Sequence, residues 1–165
     1  VLPIMREQQS GVIINVSSFL GKMGLPLLTH YNASKYAVEG ITDSLRYEVA
    51  PFGIRVNSVL PGLFKTNFVN KGLIANERTM AEDSPYQKQV SHFVPIVAQK
   101  INEGPSPIAV AEAVKAVLED DNAPISTPVG AESETFLPMA KQMSPEAFEQ
   151  TVKETFSALL QRGTN

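Results

Sequence analysis

Two short β-branched runs with one long proline-free stretch between them fix most of what this chain can fold into. Gly11-Val12-Ile13-Ile14-Asn15-Val16 is bounded by Gly11 and by Ser17-Ser18, which reads as a strand buried on both faces and therefore central in a sheet. Ile54-Arg55-Val56-Asn57-Ser58-Val59-Leu60 alternates apolar and polar residues and is closed by Pro61-Gly62, a pair that cannot continue a central ladder. Between them, from about Asn32 to Val49, there is no proline, and Ala33, Ala37, Ile41, Leu45 and Val49 fall at successive i, i+4 steps. This spacing predicts a helix with one apolar ridge, stopped by Pro51-Phe52-Gly53. Eighteen helical residues span ~27 Å, enough to cross back over a sheet and start the second strand parallel to the first. The result is a β-α-β unit, right-handed by default.

The remainder is more broken, because eight of the twelve prolines fall between residues 85 and 145. Ser84-Pro85, Ser106-Pro107 and Ser144-Pro145 each set a capping serine before a proline at the first helical position. They predict helices near 85–101, bent at Pro95, near 107–119 and near 145–161. Residues 63–83 lack clean periodicity and read as a long loop of the kind that covers a site. Ile125–Val129 reads as a short third strand at a sheet edge, where Pro128 is tolerated. Three strands are fewer than a doubly wound sheet normally holds, and the apolar run at Val12–Val16 calls for neighbours on both edges. The physical expectation is a piece of an α/β protein, and the chain already begins at Val1 inside what reads as an element.

Composition removes several function classes. The 165 residues carry net charge −3, 43% hydrophobic and 19% charged residues and no cysteine. A packed core is within reach, no disulfide or thiolate metal cluster can form, and the acidic balance argues against nucleic acid. No stretch approaches the ~20 apolar residues of a membrane helix and no secretory signal is visible, so a cytoplasmic setting is expected. His30 and His92, the two histidines, lie far apart without a carboxylate at ligand spacing, so no metal site is expected. No G-x-S-x-G elbow surrounds Ser17 or Ser18, which argues against a serine hydrolase.

Tyr31 and Lys35 stand four apart where the long helix begins and so share a face. An ammonium held near a phenol favours the phenolate and lowers its pKa. Ser18 ends the first strand thirteen residues upstream of Tyr31, and ligands of open α/β sheets bind beyond the strand carboxyl ends. Gly11–Ser18 (GVIINVSS), Tyr31–Lys35 (YNASK) and Arg55–Thr66 (RVNSVLPGLFKT), in this order and spacing, strongly resemble the short-chain dehydrogenase/reductase family. The resemblance is clear from Met5 to about Thr66 and looser from Pro107 to Glu132.

The resemblance implies an α/β, Rossmann-like doubly wound parallel sheet, present here only in its carboxyl-terminal strands and helices. It further implies an oxidoreductase moving a hydride between NAD or NADP and an alcohol or carbonyl compound, with an apolar substrate suggested by the looser match. By the same resemblance Ser18 orients the substrate oxygen, Tyr31 passes a proton, and Lys35 holds the nicotinamide ribose and depresses the tyrosine pKa. Pro61, Gly62 and Thr66 match the turn beside the nicotinamide. The family's glycine-rich TGxxxGxG turn and NNAG segment are not in the sequence, and Asn15 and Asn32 do not substitute for its catalytic asparagine. Residues 1–165 are therefore expected to form a single incomplete domain lacking the amino-terminal cofactor-binding half, inactive alone. Ala33, Ala37, Gly40 and Ser44 form a small-residue strip that the resemblance assigns to a homo-oligomer contact. Two rivals stand beside this reading: a catalytically inactive binding or scaffold relative, and a sugar epimerase or dehydratase of the extended branch, disfavoured by the short chain after Ile125.

Overall fold

In the computed structural model, which describes residues 1–72 and 76–160, both β-branched runs are strands of one parallel sheet. Helix α1 (Leu2–Gln8) precedes β1 (Gly11–Val16), and α2 (Thr29–Val49) crosses to β2 (Ile54–Pro61). β1 pairs with β2 from Gly11 opposite Ile54 to Val16 opposite Val59. Further along, β2 pairs with β3 (Ser126–Val129) from Ser58 opposite Ser126 to Pro61 opposite Val129. Pro128 thus sits on an edge strand, where its missing N–H costs no ladder bond.

Among the described residues the strand order is β1-β2-β3, so Gly11–Val16 has one of the two neighbours its apolar run calls for. β2 lies between the other two: every residue from Val56 to Leu60 is buried, whereas β1 is half-buried and Val16 is 53% exposed.

Alternation along β2 sends successive side chains to opposite faces. On one face Arg55 donates to the Val117 and Leu118 carbonyls at 3.2 and 3.0 Å, near the end of α6 (Ile108–Glu119), and Asn57 donates to the Pro124 carbonyl at 2.9 Å. A cation there also meets the negative end of the helix dipole. On the other face Ser58 reaches Glu39 of α2 at 3.2 Å, and Asn15 of β1 reaches Thr42 of α2 at 2.9 Å. Helices therefore cover both faces, the layering of a doubly wound α/β fold.

The apolar ridge of α2 divides along its length, with Leu45 and Val49 packed into the core. Ala33, Ala37 and Ile41 are exposed, Ile41 at 58%. The buried residues of α2 are Asn32, Glu39, Thr42 and Val49. The reason lies in the partners: Asn15 and Ser58 are polar groups on the covered sheet face and need hydrogen bonds once buried, which Thr42 and Glu39 supply. Below them the packing is apolar, with Val49, Ile54 and Val56 joined by Leu2, Met5, Ile13, Leu45 and Phe52; full burial of one such side chain stabilises by about 1.5–3 kcal/mol. Gly53 ends the crossover at φ 68°, and a Cβ there would lie 2.5 Å from the Gln9 carbonyl oxygen, so both its backbone angle and its surroundings require glycine.

The chain divides into two compact units, Val1–Gly62 with Ile108–Pro138, and Leu63–Pro107 with the residues after Pro138. The first holds the sheet. The second contains the one-turn helices α3 (Phe68–Lys71) and α4 (Glu77–Met80) within the stretch expected to be a loop, then α5 (Gln87–Asn102), which carries Pro95 and packs on α8 (Pro145–Leu160). Residues 73–75 of that stretch and the expected helix end at 161 lie outside the described residues. Ser144 accepts from the Ala147 N–H at 3.2 Å as the expected cap of α8; Ser84, three residues before α5 begins, accepts from the Tyr86 N–H at 3.3 Å. Helix α7 (Ala131–Gln142), which the sequence reading did not anticipate, follows β3, and its Ser133 donates to the Leu60 carbonyl at 2.6 Å. Among the described residues no helix is long and apolar enough to cross a membrane.

Candidate active site

The carboxyl end of β1 continues one step beyond the strand, where the Ser17 N–H donates to the Val59 carbonyl at 2.9 Å. Ser18 follows in extended conformation and caps a short 3₁₀ turn, Phe19–Gly21, its Oγ accepting the Leu20 N–H at 3.2 Å. This turn is tied to the first turn of α2 by Asn32, whose amide donates to the carbonyls of Leu20 and Met23 at 3.0 and 2.7 Å. Gly21 allows the contact: a Cβ there would lie 2.9 Å from both Ser17 Oγ and Glu39 Cγ and 3.0 Å from the Lys35 carbonyl oxygen. The turn therefore lies directly on the helix that carries Tyr31 and Lys35.

These local restraints bring the three expected catalytic groups together. A side-chain hydrogen bond links Ser18 to the Tyr31 phenol, so the hydroxyl that accepts from its own turn also reaches across to α2. Lys35 Nζ lies 5.7 Å from the centroid of the Tyr31 ring and donates to the Val16 carbonyl at 3.3 Å. Ser18 is buried, and Tyr31 and Lys35 are half-buried. A phenol, an ammonium and a hydroxyl thus share the region just past the end of a parallel strand.

The electrostatics differ from the simplest expectation. Burial pushes the Tyr31 phenol above its ordinary value, and the Ser18 hydrogen bond pulls it only partway back. Burial likewise lowers the Lys35 amine, with Glu39 opposing that drop. The depression of the phenol expected from its lysine neighbour is therefore not what the site shows: burial dominates, and the Ser18 hydrogen bond is what opposes it.

Pro61 ends β2 opposite Val129, and the Gly62 N–H donates to the Val129 carbonyl at 2.8 Å. A Cβ on Gly62 would lie 2.5 Å from Glu132 Oε2, so this turn has no room for a side chain. Thr66 belongs to the second unit, where its Oγ1 accepts the Phe68 N–H at 3.3 Å. Residues that the sequence reading passed over are Asn32, which anchors the serine turn, and Glu39, which is 3% exposed. A signal for the second was present: Tyr31, Lys35 and Glu39 recur every four residues, a polar stripe on one helix face.

Known proteins similar to this chain come from one family. The family model described as short chain dehydrogenase matches residues 1–76. A 3-ketodihydrosphingosine reductase of Bacteroides thetaiotaomicron is 34% identical over 159 residues, covering 96% of this chain and 58% of the relative. A crystal structure of a short-chain dehydrogenase from Streptomyces avermitilis aligns with TM-score 0.66 at 30% identity, over 99% of this chain and 56% of that one. ElxO with NADP bound aligns with TM-score 0.52 at 26% identity, over 78% and 48%. The chain spans about half the length of the curated relatives it matches. Motif order, sheet topology and these likenesses together place the chain in the short-chain dehydrogenase/reductase family.

Proposed function

We propose that residues 1–165 are the carboxyl-terminal part of one larger Rossmann-like domain that reduces a carbonyl compound to an alcohol, or runs the reverse, with NAD or NADP. The observation that carries this reading is the hydrogen bond between Ser18 and the Tyr31 phenol beside Lys35, at the carboxyl end of β1. Lys35 offers three donors and spends one on Val16. The donor set left, with the Tyr31 hydroxyl beside it, suits the neighbouring hydroxyls of a ribose. The bound NADP of ElxO supports the coenzyme class without choosing between NAD and NADP. Pro61, Gly62 and Thr66 are assigned to the nicotinamide end, and the adenosine and pyrophosphate contacts to residues upstream of this chain.

When bound, the coenzyme supplies or accepts the hydride. This chain's residues do the rest. Ser18 donates a hydrogen bond to the substrate oxygen and fixes its position. Tyr31 releases its phenolic proton to that oxygen during reduction and recovers it during oxidation. Lys35 holds ribose hydroxyls and supplies positive charge beside the phenol. The relative named as a 3-ketodihydrosphingosine reductase supports a ketone among the substrates and, with the looser sequence match, an apolar one. The exposed small-residue strip of α2, Ala33, Ala37, Gly40 and Ser44, supports pairing with a second copy.

The test is an assay of the full-length protein for oxidation of NADH or NADPH across a series of apolar ketones and aldehydes. Carbonyl-dependent oxidation of one coenzyme is the expected result. Coenzyme binding without turnover on any carbonyl would favour the inactive binding or scaffold relative instead.

A further inference from the structure

Resting on the reading of Ser18 and Tyr31 just given, we propose that Asn32 is a positioning residue for the reaction. Its side-chain amide pins the turn after β1 to the first turn of α2, and so sets the distance at which the Ser18 hydroxyl meets the Tyr31 phenol.

The link is a continuous run of hydrogen bonds. Ser18 Oγ accepts the Leu20 N–H at 3.2 Å, and the Leu20 carbonyl accepts from Asn32 Nδ2 at 3.0 Å. The second hydrogen on Nδ2 goes to the Met23 carbonyl at 2.7 Å. One nitrogen therefore holds the turn at two points, so the turn cannot pivot about a single bond. At its other end Asn32 is fixed by α2 itself. Its backbone N–H donates to the Leu28 carbonyl at 2.8 Å, and it directly follows Tyr31 in the chain. Any shift of the turn against the helix is thus a shift of Ser18 against Tyr31, whose side chains share a hydrogen bond.

Asparagine is otherwise a poor choice for this position. Its side chain competes with helical hydrogen bonding, and alanine would serve the helix better. Asn32 is 8% exposed, and its Oδ1 is buried with no hydrogen-bond partner, which costs free energy. A hydroxyl would bring one donor and an ionised carboxylate none. A short primary amide brings two donors on one atom, matched to two carbonyls of the turn that Ser18 caps.

A double-mutant cycle in the full-length enzyme tests this. Ser18→Ala, Asn32→Ala and the pair are compared for kcat of carbonyl reduction at saturating coenzyme and for coenzyme affinity. Alone, Ser18→Ala should lower kcat about 10²-fold, the usual cost of one donor to the reacting oxygen. Asn32→Ala should lower kcat about tenfold, while coenzyme affinity, which rests on Lys35, stays within about threefold. In the Asn32→Ala background, Ser18→Ala should then cost only about tenfold, because the hydroxyl is already displaced. Equal cost in both backgrounds overturns the proposal. So does a parallel loss of kcat and coenzyme affinity, which a general loosening of α2 would produce. A crystal structure of the Asn32→Ala enzyme gives a reading independent of turnover: Ser18 Oγ should lie beyond about 3.5 Å from Tyr31 Oη, and an intact bond refutes the role. Full turnover by Ser18→Ala would remove the serine from the chemistry, and the separation in that crystal would still decide for Asn32. If Asn32→Ala does not fold, Asn32→Ser, which keeps one donor, is carried through the same cycle and structure with the same signs.

Discussion

Replacing Tyr31 by phenylalanine in the full-length enzyme is expected to lower carbonyl reduction by about 10²–10⁴-fold, the usual contribution of a positioned proton donor. Coenzyme affinity should fall by about tenfold or less, since Lys35 remains and one neutral hydrogen bond to the ribose contributes only about 0.5–1.5 kcal/mol. The pH dependence follows from the direction of the phenol's shift. Burial raises the Tyr31 pKa, so the phenol keeps its proton throughout the neutral range. Reduction needs that protonated form and should decline only as pH climbs through the raised value, on the alkaline side. Oxidation needs the phenolate and should increase over the same interval. Stopped-flow rates in both directions across pH check this, and unchanged turnover in the phenylalanine variant would remove Tyr31 from the chemistry.

The second large effect is expected at Lys35. Lys35→Met keeps the length of the side chain along the helix face but removes a cation and three donors. Hydrogen bonds to charged groups contribute about 1.5–3 kcal/mol each, so loss of two to a ribose diol should weaken coenzyme binding by about 10²–10⁴-fold. Turnover at saturating coenzyme should fall as well, because the phenol loses its positive neighbour. Fluorescence titration with NADH and NADPH reads the affinity. Binding as tight as wild type would show that the lysine serves only the fold, through its bond to the Val16 carbonyl.

The two strands, the long crossover helix and the juxtaposition of Ser18 with Tyr31 were legible because each rests on local rules. β-branched runs punctuated by glycine, serine or proline define strand limits, and β1 starts and ends where its residues predict. An i, i+4 pair must share a helix face, and a serine at a strand end facing the next helix start needs only a short loop to meet it. What local rules could not give is which neighbours surround an element. Among the described residues β2 has strand partners on both sides, and pairing of that kind depends on neighbours and not on the strand's own residues. The ridge of α2 enters the core only at Leu45 and Val49, because alanine buries little area and carries a weak inward preference. The polar stripe Asn32, Glu39 and Thr42 faces inward because buried sheet groups need it. Helix α7 escaped notice because Pro138 lies inside it, where proline ordinarily argues against a helix.

The central claim is that Ser18 and Tyr31 address one substrate oxygen while Lys35 addresses the coenzyme. The most direct test is a crystal structure of the full-length enzyme with NAD(P) and a carbonyl substrate or inert analogue. The account predicts the substrate oxygen within hydrogen-bonding distance of both Ser18 Oγ and Tyr31 Oη, with Lys35 Nζ on the ribose hydroxyls. A ligand oxygen held elsewhere, with Tyr31 still bonded only to Ser18 and Lys35 only to the Val16 carbonyl, would contradict it.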